Sequence, residues 1–315
     1  FGNTKLILTG VYEVTNVENR TANGGSGAYS LTDIPDAFYL ADELGTVQTI
    51  RVHKTDKTLE SFVGRAQIKV GNNLNVTGAL RVDKSSTFSP ENRTGYFPSA
   101  SASYSFKDML SDDGLFNNIT LRAGWGQVGN DGDALGIYSS FNSPSYSFNG
   151  TTLTNALGYG GKVDPNLKWE ATEQTSVGLD FALLKNVLNV SVDWYKKNTN
   201  DLLLDAPLPY VYGDPNNEYR TNIGEIQNTG FEVNLDANII NRDDFYWNAN
   251  FNISSIKTEV IKLLDGADQI LTRPDNLNSA GQDKLYALQV GKPLGQLWGL
   301  TFLGTYKTGE TGGSP

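Results

Sequence analysis

A few places in the 315-residue sequence bring chemistry-bearing residue types close together. Gly124-Trp125-Gly126-Gln127-Val128-Gly129 has the spelling of a dinucleotide-binding turn, in which small residues let the backbone approach a pyrophosphate. That chemistry needs a helix N-terminus after the strand, and Asn130-Asp131-Gly132-Asp133 reads as a turn instead. Asn130, Asp131 and Asp133 carry oxygen ligands of the kind Ca²⁺ takes, as does the run Asp214 to Glu218, but neither supplies a full ligand set and both are expected to be solvated turns. His53, near Asp42, Glu43 and Asp56, is the one enzyme-like cluster. A lone His in a polar stretch is more simply a solvent-exposed side chain. Asn75, Asn118, Asn149, Asn189 and Asn252 each open an Asn-x-Ser/Thr triplet, the spelling of a glycosylation acceptor. Several of these fall on alternating polar faces, where Asn and Ser two residues apart line water.

Composition narrows the chemistry further. With no Cys there is no disulfide, no thiolate metal site and no cysteine nucleophile. One His excludes a multi-His metal centre, and neither a metal nor another cofactor is expected. A net charge of −10 argues against nucleic acid, whose phosphates require clustered Lys and Arg. No apolar run is long enough for a membrane helix, yet a mean hydropathy of −0.36 suits a membrane β-barrel, which carries its apolar groups on alternate residues. Phe1-Gly2-Asn3 shows no signal-peptide pattern, so the chain is expected to begin at a mature end or inside a larger protein.

The elements that must position these residues read as strands. Period-two alternation recurs in segments of the length a tilted bilayer-spanning strand requires: 4–17, 59–70, 74–83, 98–106, 118–127, 169–183, 188–197, 229–238, 246–254 and, less regularly, 294–306. In 188–197, for example, Leu188, Val190, Val192 and Trp194 oppose Asn189, Ser191, Asp193 and Tyr195. The links alternate long and short, the pattern of extended outside loops and tight periplasmic turns. A soluble β-sandwich also alternates, but its long loops need not fall on one end. Aromatics near the ends of the apolar faces, among them Tyr12, Phe106, Trp125, Trp169 and Trp247, suit an interfacial girdle.

The reading is therefore all-β: an antiparallel transmembrane β-barrel. The inward faces, rich in Gly, Ser, Thr and Asn, suit a wide wet lumen more than the filled interior of a small barrel. About ten strands are expected, at roughly 31 residues per strand and connection, and they suit part of a larger barrel, which the resemblance described next implies to have about 22.

A set of collinear motifs carries a resemblance. Asp164-Pro165-Asn166-Leu167-Lys168-Trp169-Glu170, then Gln174 and Val177-Gly178-Leu179-Asp180-Phe181, resembles the "NPNLKWE…Q…GLDF" signature of SusC-like TonB-dependent outer-membrane transporters of Bacteroidetes, the SusC/RagA group. Val192-Asp193-Trp194-Tyr195-Lys196-Lys197-Asn198-Thr199-Asn200-Asp201-Leu202-Leu203 is similar to the strand that follows it in the family, and Asn222-Ile223-Gly224-Glu225-Ile226-Gln227-Asn228-Thr229-Gly230-Phe231-Glu232 to the next motif. Upstream, Arg93-Thr94-Gly95-Tyr96-Phe97-Pro98-Ser99 and Leu121 to Asn130 resemble two further family runs.

The resemblance implies that residues 1–315 are part of a receptor barrel domain, with the plug domain, early strands and last strands outside the chain. It implies import of large nutrients, oligosaccharides or oligopeptides, through the bacterial outer membrane. The implied partners are a SusD-like surface lipoprotein and the TonB-ExbB-ExbD system acting through the plug, with lipid around the wall. Arg65, Lys69, Arg81, Arg122, Asp180, Asp193, Glu232 and Asp236 are expected to line the lumen, together with Asp83 and Lys197, their mixed signs pairing across strands. Tyr138, Phe141, Tyr146, Phe148, Tyr159, Tyr210, Tyr212 and Tyr219 are loop aromatics able to hold cargo or to pack loop on loop. A ten-stranded barrel protease working through His53, and a structural or adhesive barrel, are the alternatives.

Overall fold

The computed structural model describes residues 4–26, 47–110, 114–132, 141–142, 146–148, 151–153, 158–212, 218–264, 267–272 and 286–299. Nine long strands form one sheet: β1 (Thr4–Ser26), β2 (Val47–Val70), β3 (Leu74–Ser85), β4 (Thr94–Ser105), β5 (Phe116–Asn130), β6 (Glu170–Leu183), β7 (Leu188–Asn200), β8 (Glu225–Asn241) and β9 (Tyr246–Lys262). Each is antiparallel to its neighbour in sequence, so the sheet is an up-and-down meander with β1 and β9 at its edges. The links at 71–73, 184–187 and 242–245 are tight and lie at one end, and the links at 27–46, 131–169 and 201–224 lie at the other. Gly71 at φ +58° makes the first of these turns possible, since an L side chain rarely adopts that conformation.

Alternation turns this register into two chemically distinct faces. One hydrogen-bonded row runs Leu6, Ile68, Val76, Ala102, Ala123, Val177, Trp194 and Phe231 across eight strands. The row on the opposite face runs Lys5, Lys69, Asn75, Ser103, Arg122, Gly178, Asp193, Glu232 and Ser254. Leu6 stands at the low end of the apolar run on β1, whereas Trp194 stands at the high end of that on β7. The apolar band thus climbs across the hydrogen-bond rows, as it must when strands tilt to close a barrel.

Among the described residues, the apolar face has no protein over it. Leu8 is 72% and Phe251 is 56% exposed, and among the described residues the other strands form only ribbons of two or three. A sandwich would cover such a face with a second sheet, so that alternative is set aside. The buried apolar groups gather at the long-loop end instead, where Ala206, Ile223, Val260, Leu263 and Ile270 form one cluster and Phe88 and Leu167 another.

Two expectations need correction. The strands β1 and β2 run far past the expected limits of 17 and 59, continuing through polar residues such as Asn16, Glu18, Asp56 and Lys54, which the apolar pattern cannot register. The expected tenth strand does not join the wall within its described part. Gln296–Leu297 pairs with Tyr286–Gln289, which pairs with Gln269–Thr272 in a separate ribbon. Gly291 and Gly295, at φ +76° and +77°, break the segment into turns; residues 300–306 lie outside the described residues.

Candidate functional site: the polar wall and its loop-end collar

The polar face carries three side-chain networks, two of which staple non-adjacent strands. In the middle, Arg122 on β5 donates to both carboxylate oxygens of Asp180 on β6 at 2.7 and 2.9 Å and reaches Asp193 on β7 at 2.9 Å. Ser191 on β7 donates to Asp180 at 2.8 Å and accepts from Arg122 at 3.1 Å. The reach across β6 exists because the residue between Arg122 and Asp193 in register is Gly178.

Higher on the wall, Arg81 on β3 binds Asp83 two residues on at 2.7 Å and Ser61 on β2 at 2.8 Å. At the loop end, Lys57 on β2 pairs with Asp131 at 2.9 Å, and Ser85 on β3 donates to the other oxygen of that carboxylate at 2.7 Å. Asp131 is thus a staple between strands and not the solvated turn residue expected. Both its oxygens are engaged, and among the described residues no group of acidic or His side chains is set to hold a metal ion. Asp133 and residues 214–217 lie outside the described residues.

Asp236 accepts from the Asn248 and Asn250 amides at 3.3 Å, and Glu232 stands opposite Asp193. Lys197 stands opposite Gln174 and Asn228. Arg65 and Lys69 are placed on the same face as expected, but among the described residues no carboxylate lies within 4.0 Å of either. Pairing across strands therefore holds for Arg122, whereas Arg81 finds its carboxylate on its own strand and these two find none among the described residues.

The glycine-rich run lies within β5, as a strand residue pattern requires and a nucleotide-binding turn does not. Gly124 and Gly126 face the polar side opposite Ser176 and Gln174. β4 and β5 are paired only as far as Ser99 and Gly126, and above that point the Phe97 ring fills the cleft. A Cβ at Gly129 would fall 2.0 Å from that ring and one at Gly95 2.5 Å from it. Beneath Phe97 the wall forms a recess of about 840 Å³ reaching from Val63 on β2 to Lys197 on β7, floored by Ala79, Ser99, Gly124 and Ser176. A recess spanning that many strands of one face requires the sheet to curve with its polar side inward.

Above the recess the Asp164-to-Glu170 run builds a collar. Asn166 donates its backbone N–H to the Asp164 side chain at 2.9 Å, which turns the chain. Leu167 then enters the loop-end cluster with Phe88, and Trp169 packs between Phe88 and Phe97, each ring 5.4 Å away. The Trp169 indole N–H is satisfied by the Arg93 carbonyl at 3.0 Å. Asn222 clasps Lys168 from both sides, accepting from its N–H and donating to its carbonyl at 2.8 Å each, and donates also to the Asp201 carbonyl. Glu170 accepts the Leu203 N–H. Three of the motifs that carried the resemblance are thus fastened together.

Of the loop aromatics, Tyr212 and Tyr219 are brought together by Lys162, whose ammonium sits 5.4 and 4.0 Å from their ring centres. Tyr138 lies outside the described residues, and at Phe141, Tyr146, Phe148, Tyr159 and Tyr210 the description is limited to the backbone. The same holds for His53, which pairs with Thr21 in the extended β1–β2 ribbon, while Asp42 and Glu43 lie outside the described residues. On that ribbon Lys54 is bound by Asp56 at 2.9 Å and Glu18 at 3.1 Å. The Asp56 hydrogen bond, then that of Glu18, raises the ammonium above the ordinary lysine value.

Sequence reasoning missed Gly178, Ser191, Ser61 and Asn222, because each acts through neighbours that only register supplies. Ser191 and Ser61 did alternate onto the polar face, the one signal available.

One meander, bare and apolar on the outside, polar and recessed on the inside, defines a wall of a membrane β-barrel. The family model described as "TonB dependent receptor-like, beta-barrel" matches residues 4–313, and the chain belongs to that family. Its barrels reside in the outer membrane, and so does this wall.

Among relatives, the TonB-dependent receptor P3 of Formosa agariphila is 30% identical over 98% of this chain and 31% of its own length. The TonB-dependent receptor SusC of Bacteroides thetaiotaomicron is 32% identical over 76% of this chain and 24% of its own. The chain therefore spans about a third or less of these relatives. Among solved structures, that of the RagAB peptide transporter superposes with a TM-score of 0.74 at 20% identity, over 93% of this chain and 31% of that one. The Escherichia coli outer membrane transporter YddB superposes with a TM-score of 0.53 at 11% identity, over 93% and 36%. These relatives are receptors and transporters, not enzymes.

Proposed function

We propose that this chain is part of the barrel of an outer-membrane importer of the SusC/RagA type. In this reading, large nutrients, oligosaccharides or oligopeptides, pass its polar face, a SusD-like lipoprotein covers the loop end, and TonB with ExbB and ExbD supplies energy through a plug. The plug and the remaining strands belong to the whole protein beyond this chain. The observation that carries the reading is the recess of about 840 Å³ on the polar face, whose Gly, Ser and Ala floor leaves room beside the wall for a large solute. Similarity to the SusC receptor and to the RagAB peptide transporter supports it.

The collar around Trp169 stands at the rim of this recess. Tyr138, Phe141, Tyr146, Phe148, Tyr159, Tyr210 and Tyr212 are the aromatic contacts assigned to cargo in this reading, with Arg65, Lys69, Arg81, Arg122, Asp180, Asp193, Glu232 and Asp236 lining the passage below.

The test is made on the whole protein in its native outer membrane. Affinity purification is expected to bring down a surface lipoprotein, and deletion of either the gene or TonB is expected to abolish uptake of a labelled oligomer. Uptake that survives removal of TonB would overturn the proposal.

A further inference from the structure

We infer that Phe97 is a wedge that holds the wall unzipped between β4 and β5, and that the recess is the space this fork creates, so that one ring sets the size of solute the recess admits. Pairing of the two strands stops at Ser99 and Gly126, although β4 runs on to Thr94 and β5 to Asn130. Each keeps its other neighbour over that stretch, Thr94 pairing with Lys84 on β3 and Asn130 with Glu170 on β6. Both arms of the fork are therefore interior strands, with both sheet neighbours among the described residues.

Unpaired strand edges attract pairing, so something must keep these arms apart. Continued upward, the register would set Phe97 opposite Val128 and Tyr96 opposite Gly129. The Phe97 ring, 6% exposed, lies in the gap instead, seated on Gly95 and Gly129 where neither has a Cβ to exclude it. Trp169 packs edge-on against the ring at 5.4 Å and is pinned by its bond to the Arg93 carbonyl, which keeps the wedge in place. Pro98, at the first unmade pair, has no N–H to donate. Beyond the fork, Asp131 reaches past β4 to Ser85 on β3 and Lys57 on β2, which ties the parted end of β5 over the polar face.

The lining of the recess records the fork. A paired strand turns alternate residues toward a cavity. Here Gly124 to Asn130 line it without interruption, and so do Ser99, Ala100 and Ser101. The edge of β5 thus borders the space together with its polar face, as happens only where the neighbouring strand has moved away. That the recess passes cargo rests on the importer reading, which this deepens by naming the residue that sets the size limit; that Phe97 makes the recess does not depend on it.

The experiment combines hydrogen–deuterium exchange on the purified full-length protein with thiol labelling of a Ser101→Cys form, read against the same protein without the added thiol. Phe97→Thr removes the ring and leaves a strand-forming side chain. It is expected to let the arms zip, slowing exchange in peptides covering 94–98 and 127–130 by about tenfold, and to slow labelling of the added thiol by a polymer-linked maleimide while a small maleimide still reacts. Gly129→Ala acts in the opposite sense, because its methyl group takes the place of the ring and forces the arms further apart; faster exchange is expected. Phe97→Leu keeps apolar bulk and stays near wild type. Unchanged or faster exchange in Phe97→Thr would overturn the inference, since the ring would then fill an opening made by other contacts. Slower exchange in Asp131→Asn would overturn it as well, by assigning the opening to that tie. Should Phe97→Thr not assemble, Gly129→Ala decides, and unchanged exchange there overturns the wedge. Neither readout involves transport, so TonB-independent uptake by a protein that zips as expected counts against the importer reading alone.

Discussion

Arg122 passes through the space a side chain at Gly178 would occupy. A Cβ there would lie 2.7 Å from the guanidinium carbon of Arg122 and 2.3 Å from an oxygen of Asp193. The glycine is the reason a cation on β5 can be shared by carboxylates on β6 and β7.

Gly178→Leu is therefore expected to cost about 1–3 kcal/mol, the penalty for leaving charged hydrogen-bonding groups without their partners. In the Gly178→Leu background, Arg122→Met is expected to cost little more, since the interaction it removes is already lost. Thermal unfolding of the full-length barrel in detergent checks this, and fully additive losses would show that the two residues act independently.

Val192 faces lipid in register with Leu179 and Val233, whereas Asn189 faces the lumen opposite Asp236. Val192→Arg is expected to cost about 2–4 kcal/mol at the midplane and to reduce the folded, heat-modifiable barrel in the outer membrane. Asn189→Arg gains an anionic neighbour and is expected to assemble normally. Ser191 is the wrong control for this comparison, because its hydroxyl bridges Arg122 and Asp180. Equal assembly of both variants would mean that the facing assigned to β7 is wrong.

The collar should fail separately from the wall. Leu167 is 1% exposed against Phe88, so Leu167→Ala is expected to cost about 2–5 kcal/mol locally. Protease added to intact cells should then cut the loops faster while the barrel stays heat-modifiable. Trp169→Phe keeps ring packing but loses the bond to the Arg93 carbonyl, and a smaller effect of about 1 kcal/mol is expected.

Asp131 gives a metal test with a negative outcome. Its carboxylate is taken by Lys57 and Ser85, so adding Ca²⁺ or chelator should leave the melting temperature of the full-length protein unchanged through this residue. Asp131→Asn is expected to lower it regardless of metal, with a loss of about 1–3 kcal/mol from the charged hydrogen bonds. A Ca²⁺-dependent rise that Asp131→Asn removes would contradict the pairing.

Leu188, Val190, Val192 and Trp194 announce their strand and its lipid face from spacing alone, because the pleat places alternate residues on opposite sides whatever the neighbours are. The same rule put Arg122, Asp180 and Asp193 on the inner face. It was silent on the upper parts of β1 and β2, where Asn16, Glu18, Lys54 and Asp56 pair through backbone hydrogen bonds that carry no hydropathy signal. The turn at Gly295 was equally hidden, and there alternation alone suggested a wall strand.

By itself, then, the sequence determined the element type, the two faces, the loop asymmetry and the family resemblance, all of which depend on local spacing. The tertiary structure decided which charges meet. Whether Arg122 is paired, Asp131 is satisfied or Lys69 faces another lysine depends on the register between strands far apart in the chain. Register is a sum over whole strand pairs, so no single residue or motif reveals it.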